Sequence, residues 1–313
     1  MSSTPASATE GTTTMTHLTL PARRRLAALL GGSLVLLTAC QNAGTAAPGQ
    51  DAAPPAAQQP AITPSTAATA AGLTAQQRLD LLASTISATP ADTTDGLPYT
   101  YLHLQQWARA TNTIVRTDVR RWRHDADGSG REIIRRAPDL RGVDHEPTPE
   151  ERHDLSRAAQ QSLQYRVGQL HPYLPGGVPA DPGELTKLLA PPQLADEPAY
   201  PRMLASGFVG LATSHHLDPQ QRATTLRVLA TVPHITYRGT TTDLAGRPGL
   251  SFQVVADGST STLVIDPASG ELLAAKERID RGRRPGLFSY TLLLDRGRAA
   301  TDSPTSPTTP PRS

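Results

Sequence analysis

Residues 235–265 read ITYRGTTTDLAGRPGLSFQVVADGSTSTLVI, and the period of this stretch decides the fold class. Ile235 to Thr242, Leu250 to Ala256 and Thr260 to Ile265 alternate with period two, the pattern of strands. Asp243-Leu244-Ala245-Gly246-Arg247-Pro248-Gly249 and Asp257-Gly258 separate them, with the Gly, Pro and Asp chemistry of tight turns. Asp266-Pro267-Ala268-Ser269-Gly270 turns the chain again, into a strand from Glu271 to Ile279. A last strand, Leu287 to Leu294, carries Phe288, Tyr290 and Leu292 on one face and Leu287 and Leu293 on the other. Apolar residues on both faces predict a central or helix-covered place. Strands joined by turns this short pair antiparallel.

A second β block lies upstream. Tyr99, Tyr101, His103 and Trp107 fall on one face of a strand, with Leu102 and Leu104 on the other. Ile114 to Arg123 follows, and the chain returns through Glu132-Ile133-Ile134-Arg135. The turn between them, Asp125-Ala126-Asp127-Gly128-Ser129-Gly130, matches the first positions of a calcium loop. Its twelfth position is Arg136 where a bidentate Glu is needed, so it reads as a long hairpin turn. Arg116, Arg120, Arg121, Arg123, Arg131, Arg135 and Arg136 surround Trp122, diluted by Asp118, Asp125, Asp127 and Glu132. A basic face of this kind can touch anionic headgroups. A solvated strand face with cross-strand ion pairs is the plainer expectation.

Between the two blocks the period is helical. Thr148-Pro149-Glu150-Glu151, Asp181-Pro182-Gly183-Glu184 and Asp218-Pro219-Gln220-Gln221 share one grammar: a cap, then Pro, then an acid or amide. Another helix is expected over about Pro201 to His216, with Leu204, Phe208, Leu211 and Ala212 on one stripe. An earlier helix opens at Thr74 with Gln77 in capping-box spacing, followed by Ala75, Leu79, Leu82, Ala83 and Ile86. The helical block holds too few apolar residues to fold alone. Residues 98–137 and 235–295 are therefore expected to share one core. The predicted fold is α+β: one curved, half-barrel-like antiparallel sheet, with the short helices of 149–231 packed on a face of it.

The N-terminal part reads as an address. Arg23-Arg24-Arg25 precedes an apolar run from Leu26 to Thr38, and Leu37-Thr38-Ala39-Cys40 has lipobox form around the single cysteine. The run is shorter than the roughly 20 residues that span a bilayer. A thiol at this place is alkylated with diacylglycerol and then becomes the N-terminus. The alternative is a plain secretion signal followed by a free cysteine. Arg23-Arg24 is compatible with twin-arginine export, although an ordinary three-charge signal accounts for it more simply. Met15 lies closer to the arginines than Met1 and is an alternative start. The expected organisation is a signal peptide over 1–39, an Ala/Pro/Thr tether over 40–72, a single extracytoplasmic domain over 73–297 and a disordered tail over 298–313. That places the protein on the outer face of the cell membrane. A formal charge of +2 argues for no nucleic-acid partner.

No catalytic constellation emerges. There is no Gly-x-Ser-x-Gly elbow and no phosphate loop. Glu150 and Glu151 sit where they serve a helix dipole. His145, His153, His171, His215 and His216 lack zinc spacing and read as surface or helix-end residues. No enzyme activity, metal or cofactor is expected.

The run Ala230-Thr231-Val232-Pro233 through Thr242-Asp243-Leu244-Ala245-Gly246-Arg247-Pro248-Gly249, completed by Asp266-Pro267-Ala268-Ser269-Gly270-Glu271-Leu272-Leu273, resembles a signature of an uncharacterised actinobacterial envelope family. Trp122 with Asp127-Gly128-Ser129-Gly130-Arg131 adds to it, so the likeness covers most of 98–280. The resemblance implies a membrane-anchored envelope protein, often encoded near sigma-factor genes. Members typically carry one N-terminal transmembrane helix, and the lipobox departs from that pattern. The layout is also similar, in architecture only, to lipoprotein carriers built as half-barrels. That similarity implies an apolar ligand between sheet and helices, lined by Leu204, Phe208 and Leu211 facing Phe252 or Tyr290. The other outcome for these residues is plain core packing, with an envelope protein as the partner and no small ligand. Replacing Cys40 with Ala should move the protein from the membrane to the soluble fraction. A variant that stays membrane-bound, beside a wild type without diacylglycerol mass, would refute the anchor.

Overall fold

The computed structural model describes residues 72–90 and 96–302. Cys40, the signal-like stretch, most of the tether and the chain beyond Asp302 lie outside them. The first element forms as its cap dictates. The Gln77 N–H donates to Thr74 Oγ1 at 3.2 Å, and Gln77 Oε1 accepts from the Thr74 N–H at 2.9 Å, opening α1 (Ala75–Ser87). Strands β1 (Tyr99–Ala110), β2 (Thr113–His124) and β3 (Gly130–Arg141) follow as a meander. The three Pro-started helices each have the expected cap: Thr148 for α2 (Pro149–Arg157), Asp181 for α3 (Pro182–Leu189) and Asp218 for α5 (Pro219–Ala230). Between the last two lies α4 (Tyr200–Ala212), which stops short of the expected His216.

One element of the middle block is not helical. Gln160–Tyr165 forms β4, paired antiparallel with β3 from Arg135↔Gln160 to Gly130↔Tyr165. Its sequence, QQSLQY, is mostly polar, with Leu163 its one aliphatic residue, and an edge strand needs neither alternation nor an apolar face. Only the pairing with β3 reveals it.

The C-terminal strands are β5 (Thr236–Thr242), β6 (Pro248–Ala256), β7 (Ser259–Ile265), β8 (Leu272–Ile279) and β9 (Gly286–Ala299). Among the described residues the strands make one open antiparallel sheet in the order β4-β3-β2-β1-β9-β8-β7-β6-β5. Two meanders thus meet where β1 pairs with β9, from Tyr99↔Ala299 to Ala108↔Ser289. The fold is α+β. Strand β9 runs past the expected domain end at 297. Arg298 reaches Asp125 and Thr100, and Asp302 accepts from Gln164.

Directly paired residues share a face, so the register assigns each side chain. On the inner face, Phe252, Val254, Leu263, Ala275 and Leu293 pack with Leu204, Phe208 and Leu211 of α4, the inner sides of α1, α3 and α5 completing one cluster. On the outer face, Trp107, Ile114, Ala137 and Leu287 enclose Leu155 of α2. The expectation that all helices of 149–231 lie on one face is therefore corrected, for α2 takes the other side. Glu151 explains why. Its Oε2 accepts from Trp107 Nε1 at 2.9 Å and lies 3.0 Å from His145 Nε2, so it ties α2 to the outer face beyond any service to the helix dipole.

The arginine-rich hairpin is also less solvated than expected. Cross-strand pairs are present, Arg121–Glu132 at 2.5 Å and Asp118 with His103 at 3.2 Å. Yet Arg116, Arg123, Asp118 and Glu132 are all buried. Arg116 donates to the Pro138 carbonyl beside a bulge in the β2–β3 register. Asp125 of the hairpin turn accepts from Thr100 and Arg123, and Asp127 from the Ser129 N–H. Those carboxylates close the turn.

Phe252 is 0% and Phe288 46% exposed. Replacing Phe252 with Ala should cost about 3–5 kcal/mol by cavity formation. Phe288→Ala should stay within about 0.5 kcal/mol. Urea unfolding of the two variants checks the contrast, and equal losses would contradict the burial of Phe252 and the exposure of Phe288.

Candidate functional site

The inner face is not filled everywhere. Leu204, Phe208 and Leu211 turn into the core, and the adjacent stripe of α4, Ala205, Val209, Gly210 and Thr213, is made of small or short side chains. Opposite it stand Ser261 and Leu263 of β7, Ala275 and Glu277 of β8, and Ser289 and Thr291 of β9. Between them runs a groove of about 280 Å³ that reaches Gln106 on β1 and Phe288 at the rim. This is just below the range of about 300–1,000 Å³ usual for ligand pockets. The groove's existence follows from residue size: a helix that presents Ala205 and Val209 to a sheet presenting Ala and Ser leaves a gap.

The expected lining is relocated accordingly. Leu204, Phe208, Leu211 and Phe252 share one packed cluster and take the core-packing outcome. Tyr290 lies on the outer face, edge-on to Trp107 with ring centroids 5.6 Å apart. Its hydroxyl accepts from the Leu244 N–H at 3.3 Å. The place expected for a site, between helix and sheet, does hold a groove, one stripe round on α4. The signal in the sequence is the set of short side chains at Ala205, Ser206, Val209 and Thr213, interleaved with the large residues that pack the core.

The groove carries both apolar and hydrogen-bonding character. Val209, Leu263, Ala275 and Phe288 offer contact area, while Ser206, Thr213, Ser261, Ser289, Thr291 and Gln106 offer hydroxyl and amide groups. Glu277 is its acid. Burial pushes the Glu277 carboxyl up, partly offset by the Arg202 charge. The guanidinium of Arg202 lies 3.7 Å from Glu277 and 3.9 Å from Asp257.

Two further hollows exist. On the outer face, Tyr290, Lys276, Ser251, Thr262 and the segments at Glu146–Pro147 and Thr241–Leu244 enclose about 250 Å³. The Asp243–Arg247 turn shapes it. The buried Asp243 accepts from Ala245 N, Arg247 N and Arg247 Nε, and Arg247 reaches the carbonyls of Leu273 and Leu293. The third hollow, about 190 Å³, gathers Arg123, Asp125, His215, His216, Gln221 and Arg298. Here the reading of surface histidines is corrected: His215 and His216 follow the end of α4 but are buried, because the segment after the helix folds under Leu174. His215 Nε2 accepts from the Leu174 N–H at 3.2 Å. Burial, then the neighbouring Arg123 charge, pushes its pKa down to about 4. Arg123 is itself pushed down to about 10, first by burial and then by Arg121; it donates to the Ser214 carbonyl and to Asp125.

Compared with protein-family models and with functionally characterised proteins, the chain matches none. What fold and hollows define is an α+β domain with an open antiparallel sheet and a groove under one helix.

His215 supplies a pH test of this geometry. Folded His215 takes its proton only near pH 4, against 6.5 when free. Between those values the unfolded chain binds more protons, so stability is full above about pH 6.5 and falls as pH drops towards about 4. His215→Gln, which keeps an acceptor for Leu174, should flatten that slope in denaturation curves at stepped pH. An unchanged slope would contradict the buried neutral imidazole.

Proposed function

We propose that this protein is an extracytoplasmic lipoprotein, anchored through a diacylglyceryl Cys40, whose domain binds a single apolar chain in the groove under α4. The observation that carries the reading is the groove itself: small residues on α4 face small residues on β7, β8 and β9, with Phe288 exposed at the rim. A solvent-facing phenylalanine beside an open cleft offers an apolar ligand contact area at once. The sheet acts as a half-barrel, concave towards α4, and the helix is its lid. The tether between Cys40 and Thr74 holds the groove within reach of membrane lipids. The ligand is one alkyl chain, for the volume admits little more.

A second reading rests on β4. This edge strand has no charge, proline or bulge, the usual guards against added strands. A protein partner would add a strand there, as a sensor or interaction domain does.

Val209→Trp tests the first reading. Val209 is only half-buried, so an indole at this position fills the groove without entering the core. A fluorescent fatty alcohol titrated into the Cys40→Ala chain should bind saturably, and the Trp variant should lose about tenfold or more in affinity. Equal binding by both chains, or no saturable binding, would refute the groove as the site and leave the β4 edge.

A further inference from the structure

The groove is charged unevenly. Two of its lining residues carry ionisable side chains, Lys276 and Glu277, and they point to opposite faces. The Lys276 ammonium donates to Glu146 at 3.1 Å, and its strand partners are Thr262 and Tyr290 of the outer face. Glu277 pairs with Ser261 and Ser289, both of the groove. Its carboxylate accepts no hydrogen bond from any of the described residues, although its side chain is only 16% exposed. Arg202 stands at ion-pair range of Glu277 and also of Asp257, at 3.7 and 3.9 Å, so one cation serves two carboxylates. The balance at this end of the groove is one negative charge. A half-buried carboxylate without protein donors takes its hydrogen bonds from whatever enters the groove, water or ligand.

Resting on the reading of the groove as a chain-binding site, we propose that Glu277 is its head-group acceptor. The ligand class is then a single-chain amphiphile whose polar end donates hydrogen bonds and bears no negative charge, a hydroxyl or ammonium head. The serine and threonine hydroxyls beside Glu277 accept and donate to the same head. A free fatty acid would place a second carboxylate against Glu277, where partial burial leaves the repulsion poorly screened. The alkyl chain lies along Val209, Leu263 and Ala275.

The test uses three probes of equal chain length: monolauroylglycerol, dodecylammonium and laurate. Each is titrated calorimetrically into the full Cys40→Ala chain at neutral pH, below its critical micelle concentration. The hydroxyl and ammonium probes should bind at least about tenfold more tightly than laurate, which corresponds to one unfavourable charge contact. Glu277→Gln should raise laurate affinity towards that of monolauroylglycerol and weaken dodecylammonium. The order in the unsubstituted chain tests the proposal even where the variant folds poorly. Equal binding of all three probes, or laurate binding tightest, overturns the role of Glu277 and leaves the groove standing. Binding of none overturns the groove reading and this inference with it.

Discussion

The pairing of β1 with β9 is the interaction on which the rest of the structure depends. It joins Tyr99–Ala108 to Ser289–Ala299, two strands with nearly the whole domain between them in sequence. Each half of the sheet is a meander that forms from local turns. The helices of the inner face cover one half of it: α4 packs on β6, β7 and β8, α1 and α3 pack on α5, and α5 packs on α4, while the long arginine-rich strands lie on the other side of the seam. Closing so long a loop carries a large entropic penalty. It is offset by backbone hydrogen bonds and by the burial of Leu104, Leu292 and Leu293 at the seam.

The seam is also irregular where it matters. The register slips between His103 and Leu104 on the β1 side, and β8 carries another shift beside Leu272. Bulges leave backbone groups that a regular ladder would satisfy. Arg247 supplies donors to the carbonyls of Leu273 and Leu293, and Arg296 to that of Leu272. Arg247 is positioned in turn by the buried Asp243. A surface turn between two strands thus reaches back to stabilise the junction of the halves. Asp118 plays a related part among β1, β2 and β3. Burial raises its pKa, but hydrogen bonds from His103 and Gln105, with the Arg135 charge, outweigh this and hold it below the usual carboxylate range.

The groove follows from the same architecture. Helix α4 crosses the inner face with its large residues pressed into the core and its small ones over β7, β8 and β9. Gly207 and Gly210 permit close neighbours on the helix: a Cβ at Gly207 would meet Leu189 at 2.9 Å, and one at Gly210 the Tyr173 ring at 2.5 Å. The helix is therefore packed closely against α3 and the segment at Tyr173.

The strands of 235–279, the capped starts of α1, α2, α3 and α5, and the Asp125–Gly130 turn were legible in the sequence, because each rests on local chemistry: periodicity, a cap side chain, or a residue suited to positive φ. So was the expectation that both β blocks join in one antiparallel sheet, although they do not share one core: the inner-face cluster draws no residue from β1 to β4, and the upstream strands pack mainly in clusters of their own. Tertiary structure alone decided the strand order and the place of β4, whose polar sequence has no pattern until β3 pairs with it. It also decided that α2 lies on the face opposite α4, that Tyr290 faces Trp107 and not the groove, and that His215, His216, Arg116 and Arg123 are buried. These outcomes depend on which surfaces meet, and a residue's own type does not specify what will lie across from it. The groove is the clearest case. The sequence holds the small residues of α4 and of the sheet, but only their meeting across the inner face makes a space.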